Sequence, residues 1–375
     1  MNKQIITASV CLLASLTIAG ITGKNFMDVK KPDELRPGPG VTQTKMLSDY
    51  IAGTNADSTV YVMEGEQPGG KMLVLGGTHA NEPSGYLAAI TFVESGKVEQ
   101  GTVFVIPRTC NSGFTHNDPQ EGSPQYYTIQ TKGGPRQFRY GSNPLDQWPD
   151  PEVYVHAASG QRLSGSETRN INRTYPGRPD GTLTEKASYA IRQLIDNEGV
   201  NLTFDLHEAS PEYPVINATV AHETAMSIAS NGMFELQMAG IAMSLEPSPT
   251  NLHGLTHREL GDYTDTLPLL METANASQGR LRGKTNADLV LTGKDKCYVK
   301  AQKLGFLYVP YDETGHPIEE RVGRHLQGVY EYSKAYSAQY PDTPIVYSGL
   351  PSYQELFLDA DPSELGGTRL GQYLN

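Results

Sequence analysis

The chain of 375 residues is poor in cysteine, tryptophan and charge. Three cysteines are too few for a disulfide-rich scaffold, and 19% charged residues beside 38% apolar ones do not describe a disordered chain. Basic residues are outnumbered by acidic ones, 30 to 42, which gives a net charge of −12. This shortage of positive charge argues against nucleic acid and anionic membrane surfaces as partners.

Long hydrophobic runs are absent except at the start, where Lys3 is followed by an uncharged stretch from Gln4 to Gly23. A basic start, an apolar middle and small residues near Ala19 are typical of an export signal. We expect a signal peptide at 1–23 and a periplasmic or secreted protein. The alternative is an uncleaved anchor, since the run approaches the length of a membrane span. Any membrane contact would come through this segment.

Composition divides the remaining chain into three segments. Residues 24–58 are polar and rich in Pro and Gly, and we interpret them as an N-terminal linker or extension. Residues 59–340 alternate strand-like and helical patterns, which predicts one α/β domain with a central mixed, mainly parallel sheet and helices on both faces. Residues 341–375 are predicted to be a tail packed on the surface.

Hydrophobic periodicity predicts the main elements of that domain. Strands are expected at 60–63, 72–75, 103–106, 201–206, 214–220 and 267–271, and helices at 86–94, 184–198 and 319–337. The long segment 111–168 lacks a clear period, and segments of that length are usually functional or folded insertions.

The most informative motif joins a histidine and a carboxylate three positions apart. His79 and Glu82 lie in a loop bounded by Gly and Pro, directly after the apolar run 72–75. An imidazole and a carboxylate at this spacing can reach one divalent ion. A second histidine would complete the two-His, one-Glu ligand set of catalytic zinc sites.

Two later residues also follow apolar strands, His207 and Glu272. Ligands of open α/β sheets bind outside the carboxyl ends of the strands. We therefore expect His79, Glu82, His207 and Glu272 on one edge of the sheet. Asp205 could orient the His207 ring from behind.

Four motifs occur in a specific order along the chain: Gly-Gly-Thr-His-Ala-Asn-Glu-Pro at 76–83, Asn-Arg-Thr-Tyr-Pro-Gly at 172–177, Asp-Leu-His at 205–207 and Met-Glu-Thr at 271–273. This order of motifs resembles that of the zinc carboxypeptidase superfamily. The residues within the motifs are more similar to those of its succinylglutamate desuccinylase/aspartoacylase branch. The chain departs from that branch at Ala80, where Gly is usual, and at Tyr175, where Phe is usual. It also ends in a helix and tail rather than a small β-rich domain, which leaves the substrate open.

The resemblance implies a role for each motif residue. It implies Zn²⁺ ligands at His79, Glu82 and His207, a clamp for the substrate carboxylate at Asn172 and Arg173, and a general base at Glu272. Arg108 and Arg169 are both candidates to stabilise an oxyanion. His253 and His257 are interpreted as loop residues, because Gly254 between them disfavours a helix.

These assignments predict a zinc-dependent hydrolase that cleaves an amide bond next to a carboxylate-bearing amino acid. Two substrates fit: a small N-acyl amino acid, for a deacylase, or a peptide, for an exported metallocarboxypeptidase. The alternative hypothesis outside the enzymes is a non-catalytic zinc-binding envelope protein. The sequence also leaves open whether Cys110 and Cys297 form a disulfide.

Overall fold

One large mixed sheet organises the fold, as seen in a computed structural model that describes residues 2–28, 31, 33–117, 122–143, 145 and 147–375. The predicted linker and the long segment 111–168 each include residues outside this description. The strands of the described part are β1 (Gln43–Met46), β2 (Thr59–Glu64), β3 (Gln67–Leu75), β4 (Lys97–Ile106), β5 (Tyr126–Thr131), β6 (Gly134–Arg139), β7 (Val153–Val155), β8 (Arg162–Ser164), β9 (Leu202–Ala209), β10 (Ala218–Ala221), β11 (Ser244–Pro247), β12 (Leu267–Ala274) and β13 (Val346–Ser348).

The helices of the described part alternate with these strands over the middle of the chain. They are α1 (Lys3–Asp28), α2 (Pro83–Ser95), α3 (Leu183–Glu198), α4 (Met226–Met238), α5 (Thr256–Tyr263), α6 (Ala287–Thr292), α7 (Lys296–Lys303), α8 (Ile318–Gln339) and α9 (Thr368–Gly371).

The large sheet has a parallel centre and antiparallel flanks. Its strand order is β1-β2-β4-β3-β9-β12-β10-β11, with β13 paired to β4 off this path. The strands β4, β3, β9 and β12 run parallel, whereas β2 is antiparallel to β4 and β10 is antiparallel to β12. The carboxyl ends of the four central strands therefore share one edge, and the predicted α/β fold with a mixed sheet is confirmed.

Helices cover both faces of the sheet because its strands are apolar on both sides. On one face, α2, α4 and α8 pack against side chains such as Val74, Phe204 and Met271. On the other face, α3 packs against alternating residues of the same strands, including Leu73 and Leu75. Continuous apolar runs are expected of strands buried on both faces.

The sheet extends beyond residues 59–340 at both ends. The strand β1 lies in the predicted linker and pairs with β2, and β13 lies in the predicted tail and pairs with β4. The expectation of a tail lying on the surface is wrong, because Leu356, Leu370 and Leu374 are fully buried in the core that contains α2 and α8. The boundaries of the four predicted segments stay predictions.

The N-terminal helix α1 stands apart from the core. Its side chains are exposed along nearly its whole length, and it continues past Gly23 to Asp28. Among the described residues it is the one helix long and apolar enough to cross a membrane, a test that a signal sequence also passes.

Candidate metal site and active-site cleft

Four predicted site residues meet at the carboxyl edge of the central strands. His79 and Glu82 lie in the loop after β3, as expected. His207 and Glu272 do not follow their strands; they lie inside them, two residues before the ends of β9 and β12. Since these parallel strands place His207 opposite Glu272, both side chains project from the same face at neighbouring positions.

A close helix–strand contact holds the loop against β9. A Cβ atom at Gly85, in the first turn of α2, would collide with the carbonyl of Leu206, so only glycine allows this approach. The contact brings the start of α2, and Glu82 just before it, beside His207. The backbone N–H of Glu208 donates to Glu82 Oε2 at 3.1 Å.

The three candidate ligands form one tight cluster. His79 Nδ1 lies 2.8 Å from Glu82 Oε1, and His207 Nδ1 lies 3.0 Å from Glu82 Oε2. One donor atom from each residue falls within 4.8 Å of the others, and all three residues are buried. The two rings meet edge to face with their centroids 4.8 Å apart.

The far nitrogen of each imidazole is also held. His79 Nε2 forms a hydrogen-bond contact with Asn170 Oδ1 at 3.0 Å, whereas His207 Nε2 lies 2.8 Å from Asp205 Oδ2 as an ion-pair contact without hydrogen-bond alignment. Asp205 in turn accepts hydrogen bonds from Thr78 Oγ1 and Thr256 Oγ1. Outer-shell acceptors of this kind fix the orientation of metal-binding histidines. The two Nδ1 atoms are therefore aimed together at Glu82.

These residues fit a zinc ion by donor chemistry and by placement. Two imidazole nitrogens and one carboxylate form the ligand set of catalytic zinc sites, which keep a further position open. The cluster lies beside a cleft of about 430 Å³, lined by His79, His207 and Glu272. An ion held by the three residues would therefore face the cleft.

The charges of the cluster are strongly coupled. Burial opposes ionisation of Glu82, but His79 and His207 hold the pKa of this carboxyl below its usual range. Burial also opposes protonation of His207, yet Asp205 and Glu82 raise the pKa of its imidazole well above its usual range.

Glu272 is the carboxyl group of the site that lacks a partner. Its Oε2 atom is buried and accepts no hydrogen bond. Burial raises the pKa of Glu272 well above its usual range, and the charge of His207 only partly offsets this effect. An unsatisfied buried polar atom and a perturbed pKa beside a cleft are typical of functional groups.

The predicted carboxylate clamp lines the same cleft. The Arg173 side chain is about a quarter exposed; its Nη1 donates to the Asn172 carbonyl at 2.8 Å, and its Nε lies 3.7 Å from Glu167. Asn172 is buried, and its Oδ1 accepts from Thr256 N at 2.9 Å. Gly254, at φ +90°, lets the following loop pack directly on the Arg173 backbone. The guanidinium is thus positioned at the cleft, and its carboxylate partner Glu167 is a loose one at 3.7 Å.

The structure places neither candidate oxyanion arginine at the cleft. Arg108 pairs with the buried carboxylate of Asp33. Arg169 forms two hydrogen bonds with Asp150, at 2.7 and 3.1 Å, and stacks on Trp148. The structure gives neither candidate support, because each guanidinium is already paired with a carboxylate that sequence spacing does not reveal.

Sequence reasoning also missed cleft residues. His257 lies in the first turn of α5 and lines the cleft, where its Nδ1 atom lies 2.8 Å from Ser248 Oγ. The prediction that His257 is a loop residue is therefore wrong. Asn170, which contacts His79 without lining the cleft, had a local signal, because it lies two residues before the motif at 172–177. Glu246, on β11, had none. Cys110 is buried and Cys297 is exposed, and both are free thiols.

Comparison with known proteins finds a partial sequence match and loose structural matches. No family model matches the chain. The chain is 30% identical over 119 residues to an N-alpha-acetyl-L-2,4-diaminobutyric acid deacetylase from Halomonas elongata. The match covers 31% of this chain and 32% of that protein, so the chain aligns with about a third of the length of this relative.

Solved structures with a similar fold include a desuccinylase/aspartoacylase and a metallo-carboxypeptidase. A succinylglutamate desuccinylase/aspartoacylase from Rhodobacter sphaeroides is 13% identical, with a TM-score of 0.40 over 78% of this chain and 64% of that one. A metallo-carboxypeptidase from Burkholderia cenocepacia is 11% identical, with a TM-score of 0.46 over 86% and 68% of the two chains. The proteins that the chain resembles are thus deacylases and carboxypeptidases, which act on amide bonds.

Fold and site together define the class of molecule. It is an α/β protein with a parallel sheet centre and a buried His-Glu-His cluster at the carboxyl edge of that centre, able to hold a metal ion. Beside the cluster, one cleft brings together an unpartnered carboxyl and a partly exposed arginine.

Proposed function

We propose that the protein is a zinc-dependent hydrolase that cleaves an amide bond next to a carboxylate-bearing amino acid, as an N-acyl amino acid deacylase. One observation carries the proposal. The His79–Glu82–His207 cluster and the unpartnered Glu272 carboxyl adjoin one cleft, which Arg173 also lines. A metal-binding protein without catalysis has no use for a buried, unpaired carboxyl at that position.

The metal would be held by His79 Nδ1, His207 Nδ1 and the Glu82 carboxylate. A bound zinc ion supplies an open position that acidifies water and polarises the scissile carbonyl. The protein positions this donor set through Asn170 and Asp205, which contact the far nitrogens of the two imidazoles.

Glu272 is the proton carrier in this proposal. Its Oε2 atom accepts a proton from the attacking water and then donates it to the nitrogen of the leaving amine. The raised pKa supports the first half of this transfer, because a carboxylate that binds its proton more tightly is a stronger base toward the attacking water. A positioned acid–base group contributes roughly 10²–10⁴-fold in rate.

Arg173 and Asn172 bind the substrate carboxylate. The guanidinium offers two parallel N–H donors that match the two oxygens of a carboxylate. Asn172 is fixed by its bond from Thr256, so the residue beside the guanidinium is preorganised. Their side chains select a substrate that carries a carboxylate on the amine side of the scissile bond.

A peptide C-terminus presents the same carboxylate and amide, so a metallocarboxypeptidase is the second candidate. The cleft volume of about 430 Å³ suits a small-molecule site and also admits the end of a peptide chain. We further propose that residues 1–23 direct export, as their composition and the apolar helix α1 suggest.

The test is zinc content followed by hydrolysis of two panels, one of N-acyl amino acids and one of short peptides. We expect about one zinc per chain and turnover that a chelator abolishes and added zinc restores. Faster turnover of the first panel supports the deacylase, and faster release of C-terminal residues supports the carboxypeptidase. Bound zinc without turnover of any member would contradict both and favour a non-catalytic zinc protein.

A further inference from the structure

The floor of the cleft is a row of side chains that crosses the sheet away from the metal cluster. The register places Asp205 of β9 opposite Leu270 of β12, Leu270 opposite Val220 of β10, and Val220 opposite Glu246 of β11. Neighbouring strands lie about 4.8 Å apart, so Glu246 is about 10 Å across the sheet from Leu270. The row runs from the acceptor behind His207 to a carboxylate at the sheet edge.

The Glu246 side chain points into this cleft rather than to the opposite face. Its neighbour Leu245 packs against the core that contains α4 and α8, and successive strand residues face opposite sides. Glu246 is half-buried and lines the cleft, yet within the described residues it has no hydrogen bond or ion pair. A partly desolvated carboxylate without a partner is unfavourable unless a ligand supplies one.

The space between Glu246 and the metal cluster has a mainly apolar lining, although His257 also lines the cleft. Val220 and Leu270 form its floor, and residues of the loop before α5, such as Leu252 and Leu255, form its wall. Arg173 is the one arginine or lysine among the described residues that line the cleft. The cleft therefore has a cationic group, an apolar middle and a separate anionic group.

We propose that Glu246 selects substrates whose carboxylate-bearing amino acid has a cationic side chain, an inference that rests on the proposed hydrolase function. Arg173 binds the carboxylate, Val220 and Leu270 contact the aliphatic carbons, and Glu246 pairs with the terminal ammonium. The acyl group or preceding residue then lies toward the metal cluster. The substrate class is thus an N-acylated diamino acid, or a peptide ending in one.

A matched pair of substrates isolates the charge. Nα-acetyl-L-ornithine and Nα-acetyl-L-norleucine have side chains of equal length, and only the first ends in an ammonium. With the full zinc-loaded chain, we expect kcat/KM for the ornithine compound to exceed that for the norleucine compound at least tenfold. The Glu246→Gln variant should reduce this ratio to near one, and Glu246→Lys should shift preference toward Nα-acetyl-L-glutamate.

Glu64→Gln provides the control, because Glu64 is an exposed strand carboxylate that ends β2, outside the cleft. It should keep the wild-type ratio. A wild-type ratio near one, or an unchanged ratio in Glu246→Gln, would overturn the role of Glu246 while leaving the hydrolase intact.

Calorimetric binding of the free products separates this inference from the proposed function. L-ornithine should bind at least tenfold more tightly than L-norleucine, and Glu246→Gln should abolish the difference. If the wild-type protein hydrolyses neither substrate, the hydrolase proposal fails. The ratio of the two binding constants then decides by itself whether Glu246 recognises the ammonium group. Equal binding of the two amino acids to the wild-type protein would overturn the role of Glu246.

Discussion

At the scale of single residues, the candidate site depends on the residues that orient the metal ligands as much as on the ligands themselves. His79 and Glu82 could be recognised from spacing, but what aims the His79 ring is Asn170, which accepts at Nε2. A neutral amide acceptor holds the ring without adding another negative charge to a cluster that already contains Glu82 and Asp205. Zinc affinity should therefore depend on Asn170, which is not a ligand.

Replacing Asn170 with Ala should weaken zinc binding by about 10–100-fold, the usual effect of removing an outer-shell partner. Competition with a chromophoric chelator at fixed pH measures this loss. Asn170→Asp is the informative comparison: it keeps an acceptor oxygen for His79 but loses the Nδ2 donor to Glu167 Oε2, so it should lose less affinity than Asn170→Ala. Equal zinc affinity in Asn170→Ala and the wild-type protein would refute the positioning role.

A second residue-scale prediction concerns pH. Burial lowers the pKa of His257 to about 3, from about 6.5 in an unfolded chain. Between these values the unfolded state binds the extra proton, so the free energy of unfolding falls as pH falls through this window. His257 should contribute a slope of about 1.4 kcal/mol per pH unit.

The measurement is denaturant unfolding of the wild-type protein and His257→Asn at several pH values between 4 and 8. The two curves of stability against pH should run parallel above about pH 6.5 and converge below it, since the variant lacks the buried imidazole. Curves that stay parallel to pH 4 would show that His257 is not held neutral.

At the scale of elements, a buried ion pair joins helix α8 to the strand that carries His207. Arg321 Nη1 donates to Glu208 Oε1 at 2.6 Å, and both side chains are almost fully buried. Glu208 Oε2 also accepts from Ser84 N at 3.0 Å, in the first turn of α2. Three elements therefore meet at the residue next to His207.

Removal of one partner of this pair should be costly. Arg321→Met leaves the Glu208 carboxylate buried and unpaired, so we expect a loss of about 3–5 kcal/mol in the free energy of unfolding. The double variant Arg321→Met/Glu208→Gln removes the lone charge and should recover part of the loss. Losses that simply add in a double-mutant cycle would mean that the two side chains are not coupled.

Elements also show how far the sequence alone leads. Strands β3, β9 and β12 were predictable because their apolar runs are long, and the rule for strand ends then brought His79, His207 and Glu272 to one edge. The short strands β11 and β13 were not, because three or four residues carry too little periodicity. The place of Glu246 at the cleft could not be predicted, because it lies on one of these short strands.

The partners of individual side chains also could not be predicted from the sequence. Arg108 and Arg169 were reasonable oxyanion groups by type, but tertiary contacts unrelated to spacing assign them to Asp33 and Asp150. Asn172 and Arg173 reached the cleft because the 3-10 turn that carries them packs against α5. A motif predicts which residue types are available, and only packing decides what each one meets.

At the scale of the whole molecule, the C-terminal tail completes the core. Leu370 and Leu374 are fully buried beside α2 and α8, and the backbone N–H of Asn375 donates to the buried carboxylate of Glu94 at 2.8 Å. The segment that looked like a surface tail is therefore part of the cooperative unit that supports the sheet.

Leu370→Ala should lower the free energy of unfolding by about 2–5 kcal/mol, as expected for a large-to-small change in a core. Leu358→Ala is the control in the same segment, because Leu358 is 51% exposed and its removal should change stability by no more than about 0.5 kcal/mol. Denaturant unfolding compares the two. Equal, small effects would mean that the tail is not part of the folded core.

The most direct test of the proposed chemistry is Glu272→Gln with its zinc content measured. The variant keeps the shape of the side chain and leaves His79, Glu82 and His207 intact, so it should bind zinc at the wild-type stoichiometry. We predict that kcat on the best substrate of the two panels falls by about 10²–10⁴-fold, because the proton carrier is gone. Turnover near the wild-type rate in the zinc-loaded variant would contradict the role of Glu272.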